Sequence, residues 1–274
     1  MPADIIDDYK GKHKTIQIAR ELSQKYDIII AAGGDGTIAD VIQGITEAGM
    51  GKKVALGVIP LGSGNAFRES IGIPRSIRKS LQIIMEGYTR TIDLIDIEGK
   101  YASFGSVGAT AQVTLENLKN KIPGLLGHLI ASRLMFTFPR KLQEVELIDG
   151  IDDQENRFDR KILNLKAYDC IIGKTNHFGY SWKAAPMAKL DDGYIDITFF
   201  ETSGFQYFLL FPSIYLGSFQ KTQKHFKAKK VILKGKDLPI QYHGEGLGIK
   251  DTIKMSIIPH ALKVITSKKK LNMN

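Results

Sequence analysis

The sequence predicts an α/β domain followed by a mainly β domain. Two apolar strands, DIIIAA (27–32) and KVALGVIP (53–60), each run into a glycine-rich turn and then a helical pattern. Strand, helix, strand, helix at this spacing argues for a parallel layer covered by helices. From about residue 91 the texture changes to short apolar runs punctuated by turns. The chain has 274 residues, 43% of them hydrophobic. That is enough for one large core or two modest ones.

KTIQIARELSQK (14–25) puts Ile16, Ile18, Ala19 and Leu22 on roughly one helical stripe. DIIIAA then reads as a buried strand. After the turn GGDGT (33–37), IADVIQGITEAG reads as a helix with Ile38, Val41, Ile42 and Ile45 inward, ended by Gly49 to Gly51. KVALGVIP is the second strand, PLGSGN (60–65) the second glycine turn, and RSIRKSLQIIMEG (75–87) a further helix. Beyond residue 91, TIDLIDIEGKYASFGSVG, VELID, KILNLKAYDCIIG, GYIDITFF, KKVILKG, PIQYHG and IKMSIIP read as strands. Two helices, 113–138 and 204–219, interrupt them, and the tail SKKKLNMN reads as a frayed end.

Lys plus Arg is 38 and Asp plus Glu 29, a net charge of +9. The excess suits an anionic partner or simply a basic, soluble surface. Its one cysteine, Cys170, excludes a disulfide framework and a cysteine zinc site, and fits a reducing cytoplasm. MPADIIDDYKGK has neither the basic start nor the apolar core of a signal peptide. The most apolar segments, 124–138 and 205–219, are shorter than the roughly 20 residues that cross a bilayer. Basic residues are not interleaved with aromatics, so a nucleic-acid partner is not expected.

A strand ending in Gly33-Gly34-Asp35-Gly36-Thr37 brings backbone close to a phosphate, because no Cβ intervenes. The helix start beyond it offers free N–H groups to an anion. Asp35 itself repels phosphate unless a cation lies between them, and Mg²⁺ accepts both kinds of oxygen. Asp35 therefore holds a metal on a nucleotide or polarises an acceptor hydroxyl; the plain alternative is a helix cap. Gly62-Ser63-Gly64-Asn65 repeats the device at the next strand, where open α/β sheets bind ligands. Asn65 is suited to ribose or phosphate, or again to a cap. Neither turn is a Walker A loop or a Rossmann fingerprint.

GGDGT followed by PLGSGN resembles the diacylglycerol kinase catalytic-domain family, which includes bacterial lipid kinases and is similar to sphingosine and ceramide kinases and distantly to NAD kinases. RTIDL (90–94), FGSVG (104–108), AAPMAKLDDGYIDI (184–197), YHGEG (242–246) and IIPHALKVI (257–265) resemble later family blocks in order. The resemblance implies an NAD kinase-like fold: a nucleotide-binding α/β domain with a parallel sheet, residues 1–92 plus 258–274, and a β-rich lipid-binding domain, 93–257. The last strand would return to the first domain. It implies ATP and Mg²⁺ as cofactors, with Gly33, Gly34, Gly36, Thr37, Gly62, Ser63, Gly64 and Asn65 at the nucleotide. It implies a structural Mg²⁺ at Lys189, Asp192 and Tyr194, with a side-chain oxygen from the Asp and backbone carbonyls from its neighbours. DDG is also a good turn sequence by itself. Asp93 matches a buried aspartate that links this region to the active site.

Catalysis would fall to Asp35 and to Glu245, the acid–base partner of the acceptor hydroxyl. The family usually reads Asp-Gly-Glu where this chain has His243-Gly244-Glu245. His243 is thus a second candidate proton acceptor or the mark of altered activity. An acidic residue that often follows the asparagine of the second turn is here Ala66. The family also opens with a strand, turn and helix that this sequence lacks, close to one βα unit. The implied function is transfer of the ATP γ-phosphate to a lipid hydroxyl, most naturally diacylglycerol, by a cytoplasmic protein peripheral to an anionic membrane. The cluster KTQKHFKAKK (221–230) would face that membrane, and family members are often homodimers. The alternatives are an NAD kinase-like enzyme on a soluble substrate and a truncated, inactive homologue that binds nucleotide or lipid.

Overall fold

The structure, a computed structural model, describes residues 4–6, 12–62, 64–120, 133–178, 182–219 and 223–271. Helix α1 (Lys12–Ser23) leads to β1 (Ile28–Gly33), α2 (Asp35–Glu47), β2 (Ala55–Pro60), the short α3 (Ala66–Ser70) and α4 (Ile77–Glu86). β3 (Thr89–Ile97), β4 (Lys100–Ala102), β5 (Phe104–Gly108) and α5 (Ala109–Asn120) follow. Then come β6 (Lys141–Ile151), β7 (Arg157–Ala167), β8 (Asp169–Gly173), β9 (Ile195–Phe200) and α6 (Gly204–Leu216). The chain closes with β10 (Lys224–Tyr242), β11 (Glu245–Ile265) and α7 (Lys268–Leu271).

Among the described residues the strands form one 11-stranded sheet with a main path β1-β2-β11-β10-β5-β8-β9. β1 pairs parallel with β2, Gly33 opposite Pro60, and the end of β11 pairs parallel with β2, Lys263 opposite Ala55. β3 runs antiparallel to β11, so the sheet beneath the glycine turns is mixed. DIIIAA is predicted as a buried strand. In the structure β1 lies at the edge of the sheet formed by the described residues, with Ile29 and Ala31 buried and Ile30 41% exposed.

Two strands are longer than the sequence pattern suggests. KKVILKG and PIQYHG fuse into β10, with a register shift between Lys234 and Leu238, where Asp237 has φ 53°. IKMSIIP and HALKVI fuse into β11, with a shift between Ile258 and Leu262 and His260 at φ 50°. Bulges of this kind bend a strand without ending it. β3 and β11 consequently pass through both apolar cores. Ile92, Leu94, Leu262 and Val264 pack with α2 and β2, whereas Ile95, Ile97, Ile253 and Met255 pack with the β-rich half.

Of the predicted helix 113–138, residues 109–120 form α5 and 133–136 a 3₁₀ turn; 121–132 lie outside the described residues. α6 begins with a Ser203/Gln206 capping box and ends at Gly217, φ 74°. It buries Tyr207 and Ile214 but leaves Phe205, Phe208, Leu209, Phe211, Tyr215 and Leu216 exposed. No helix among the described residues is long and apolar enough to cross a membrane. Within the basic cluster Lys224 pairs with Glu201 at 2.6 Å, Lys227 with Asp192 at 2.7 Å and Lys229 with Asp149 at 2.7 Å, while residues 221 and 222 lie outside the described residues.

Candidate active site

Parallel pairing of β1 with β2 carries the two glycine turns to the same sheet edge. Leu61 N–H donates to Gly33 O at 3.0 Å, locking one turn onto the other. The backbones then touch. A Cβ on Gly34 would lie 3.3 Å from Gly62 Cα, and a Cβ on Gly62 would be driven into Gly34 Cα. Only glycine allows this approach. Gly62→Ala is therefore expected to push the turns apart and cost about 2 kcal/mol, read as a lower urea midpoint at unchanged slope.

Asn65 ends the second turn in the left-handed region, φ 50°, which Asn tolerates better than most residues. Its Nδ2 donates to Gly62 O. Its Oδ1 is buried, in a residue 3% exposed, and has no partner among the described residues. Buried amide oxygens are rarely left so, and this one fits a donor from outside the chain. Gly64 and Thr37 are half-buried beside it, and Gly33 packs against the Thr37 side chain. Ser63 lies outside the described residues.

Asp35 does not cap its own helix; Gly34 is the N-cap of α2. Its carboxylate reaches across to α3, where Phe67 N–H donates at 3.3 Å and the N–H groups of Asn65 and Ala66 also point at it. The first turn thus fixes the second. Burial pushes the Asp35 carboxyl above the ordinary aspartate value, against the pull of these N–H groups and of the Arg68 guanidinium. Arg68 was not singled out by any sequence signal. It is buried, donates to Ile73 O at 2.8 Å, and lends positive charge to this corner.

Glu245 arrives from the other half of the molecule. His243 and Gly244, φ 48° and 78°, join β10 to β11 in a two-residue hairpin of the I′ pattern. Gln241 Oε1 accepts from Gly244 N–H at 2.9 Å and steadies the turn. Glu245, half-buried, is thereby aimed at the first glycine turn: a Cβ on Gly36 would sit 2.9 Å from its Oε1. Two carboxylates, Asp35 and Glu245, so lie at the first glycine turn.

The geometry gives His243 a different part from the proton acceptor expected of it. The ring is 1% exposed and packs on Phe104 at 4.7 Å between centroids. Ser103 N–H, an obligatory donor, gives its hydrogen to Nε2 at 2.7 Å. The ring's acceptor lone pair is taken, Nδ1 carries the hydrogen, and burial lowers the pKa to about 3. His243 is a neutral wedge that shapes the hairpin carrying Glu245.

Both halves of the chain resemble known proteins. The pattern of the diacylglycerol kinase catalytic domain matches residues 4–97, and that of the YegS C-terminal NAD kinase beta sandwich-like domain matches 131–266. Residues 4–97 thus carry the pattern of the diacylglycerol kinase catalytic-domain family. A diacylglycerol kinase of Staphylococcus saprophyticus is 31% identical over 188 residues, 68% of this chain and 58% of the relative. One from Staphylococcus aureus strain Newman is 31% identical over 190 residues, 69% of this chain and 57% of the relative. The matched chain thus spans less than two thirds of the length of these relatives. In fold, a crystal structure of a diacylglycerol kinase from Bacillus anthracis strain Sterne superposes with TM-score 0.73 at 20% identity, over 95% of this chain and 84% of that one.

In this chain the expected structural cation set is built differently. Lys189 is exposed, and Asp191 pairs with Arg90 through two hydrogen bonds of 2.8 Å. Asp192 and Tyr194 do converge, but on a lysine. Lys174 Nζ donates to Asp192 Oδ1 at 2.6 Å and to the Tyr194 carbonyl at 2.7 Å. Asp93, wholly buried, accepts from Gly193 N–H at 2.8 Å and His260 N–H at 2.9 Å, tying this turn to the bulge of β11. Asp192 Oδ1 and the Tyr194 carbonyl, two of the oxygens a Mg²⁺ would take from this set, already accept from an ammonium, so the set as it stands does not fit a divalent ion. The sequence placed Lys174 in an ordinary apolar run, and its distance of 18 residues from Asp192 gave no signal.

Proposed function

We propose that this chain is an ATP-dependent lipid kinase that phosphorylates the hydroxyl of diacylglycerol. The observation that carries the reading is the placement of Asp35 and Glu245 at the first of two touching glycine turns. Phosphoryl transfer needs positioning, charge neutralisation and a proton acceptor on the nucleophile. The backbone of Gly33, Gly34, Gly36, Gly62 and Gly64, with Thr37 and Ser63, would bind the phosphates, and Asn65 Oδ1 would accept from a ribose hydroxyl. Asp35 would hold Mg²⁺ on the nucleotide; when bound, that ion supplies charge neutralisation at the phosphate oxygens. Glu245 would take the proton of the lipid hydroxyl. The curated relatives' names supply the acceptor.

The exposed apolar residues of α6 support contact with a lipid surface. Phe208 stacks with Phe136 at 5.3 Å, extending the apolar face beyond the helix. A face of this kind binds at a membrane interface through buried apolar area. Because three of the five lysines of the basic cluster pair with carboxylates of the chain, apolar contact would carry more of the attachment than lysine charge. A homodimer remains part of the reading only through the family.

The test is phosphorylation by the purified chain, with Mg²⁺ and ATP, of mixed micelles holding diacylglycerol, sphingosine or monoacylglycerol, beside NAD as soluble acceptor. The expected product is phosphorylated diacylglycerol. Glu245→Gln is expected to lower turnover about a hundredfold or more with little change in nucleotide affinity. Phosphorylated NAD would overturn the lipid reading. Nucleotide binding without any product would establish an inactive homologue.

A further inference from the structure

We propose that Lys174 replaces a structural divalent cation, so that the joint between the two cores is closed by a covalently attached ammonium and needs no metal. Lys174 is wholly buried, and its Nζ sits among three oxygens: Asp192 Oδ1 at 2.6 Å, the Tyr194 carbonyl at 2.7 Å and Asp93 Oδ2 at 3.2 Å. An ammonium has three hydrogens and no acceptor, so three oxygens complete it. Two carboxylates and one backbone carbonyl are also the hard oxygen donors that suit a small dication.

Charge agrees with the geometry. Asp93 and Asp192 contribute two negative charges at this turn. Lys174 supplies one positive charge, and Lys227 supplies the second through Asp192 Oδ2 at 2.7 Å. Lys227 also lies 3.8 Å from Asp196 Oδ1, so its charge is shared with a third carboxylate. A Mg²⁺ at about 2.1 Å from Asp192 Oδ1 and the Tyr194 carbonyl would compete with Nζ for the same lone pairs and repel it at contact. Burial raises the Asp192 carboxyl, but Lys174 and Lys227 outweigh it and hold the group ionised below the usual aspartate range.

The placement gives the cation a structural task. Asp93 lies on β3, accepts from Gly193 and His260 N–H, and donates its own N–H to Leu190 O at 2.7 Å. Lys174 follows β8 and its N–H donates to Ser103 O at 2.7 Å. The ammonium therefore pins the turn 190–194 against β3, β8 and β11, where the two cores meet.

Nucleotide-free protein tests this apart from any kinase activity. Wild type is expected to unfold at the same temperature in EDTA and in millimolar Mg²⁺. Lys174→Ala is expected to unfold several degrees lower in EDTA and to regain stability with Mg²⁺ or Mn²⁺; adding Asp192→Asn should abolish the regain. Equilibrium dialysis of Mn²⁺ against wild type and Asp192→Asn decides the matter even where Lys174→Ala does not fold. Equal retention by both supports the proposal. Retention of about one Mn²⁺ per wild-type chain that is lost in Asp192→Asn would overturn it, as would a folded Lys174→Ala with no response to metal.

Discussion

Asp35→Asn is expected to lower lipid phosphorylation about a thousandfold while leaving the protein folded. Asparagine keeps the size of the side chain and an oxygen for the Phe67 N–H that now donates at 3.3 Å. It loses the charge that would hold Mg²⁺ on the nucleotide. Stability should not suffer, because burial raises the folded-state pKa of this carboxyl. A raised acid pKa means that ionisation at neutral pH opposes folding, so removing the charge is neutral or stabilising there. Turnover and urea unfolding measured on one preparation check both halves. A variant that keeps more than a tenth of its turnover would remove Asp35 from the chemistry. One that unfolds would make it a structural cap for α3.

The second large effect is a pair of opposing titrations in the core. His243, held near pKa 3 by burial, is neutral when folded but titrates near 6.5 when unfolded. Between those values the unfolded chain binds the extra proton, so stability is lost as pH falls from about 6.5 to 3. The difference of about 3.5 units corresponds to about 5 kcal/mol. Asp169 works in reverse. It is wholly buried, accepts from Tyr207 OH at 3.1 Å and from Thr110, and burial pushes its pKa up to about 6 from 3.8. Here the folded chain binds the extra proton, so this contribution is present below pH 3.8 and lost as pH rises through 6. The difference of about 2.2 units corresponds to about 3 kcal/mol.

Over pH 4 to 6 the two slopes offset each other, and below pH 4 only the His243 slope remains. Urea unfolding across this range should show wild type nearly level from these two groups down to pH 4, then falling steeply. Asp169→Asn should begin its fall near pH 6. His243→Asn, whose residue type tolerates the positive φ, should instead gain stability on acidification from pH 6 to 4. Parallel curves for all three proteins would mean that neither group titrates in the core.

Much of this molecule was legible in local sequence because its signals are local. The strands before Gly33 and Pro60 declare themselves by apolar runs ending in turn residues. α2 and α4 declare themselves by helical periodicity, and α4 ends at Gly87 with φ 71° as such helices do. The two glycine turns were readable as a phosphate-approaching pair, since glycine at a strand end has a backbone reason. The lengths of β10 and β11 were not readable, because Asp237 and His260 resemble strand ends and only register with neighbouring strands shows that pairing resumes beyond them.

The sequence by itself determined the residue types at the two turns: Gly33, Gly34 and Gly62 for close approach, and the carboxylates Asp35 and Glu245 as the candidates for charge and proton transfer. Tertiary structure decided what each is free to do. Asp35 reaches α3 instead of its own helix because Gly34 and Gly62 bring the turns into contact. His243 cannot act as a base because the Ser103 N–H from a distant strand takes its lone pair. Asp192 and Tyr194 meet an ammonium instead of a metal because β8 ends beside them and delivers Lys174. Residue type sets the chemistry a side chain can perform. Its protonation and its partner depend on burial and on contacts between segments far apart in the chain, which local pattern does not encode.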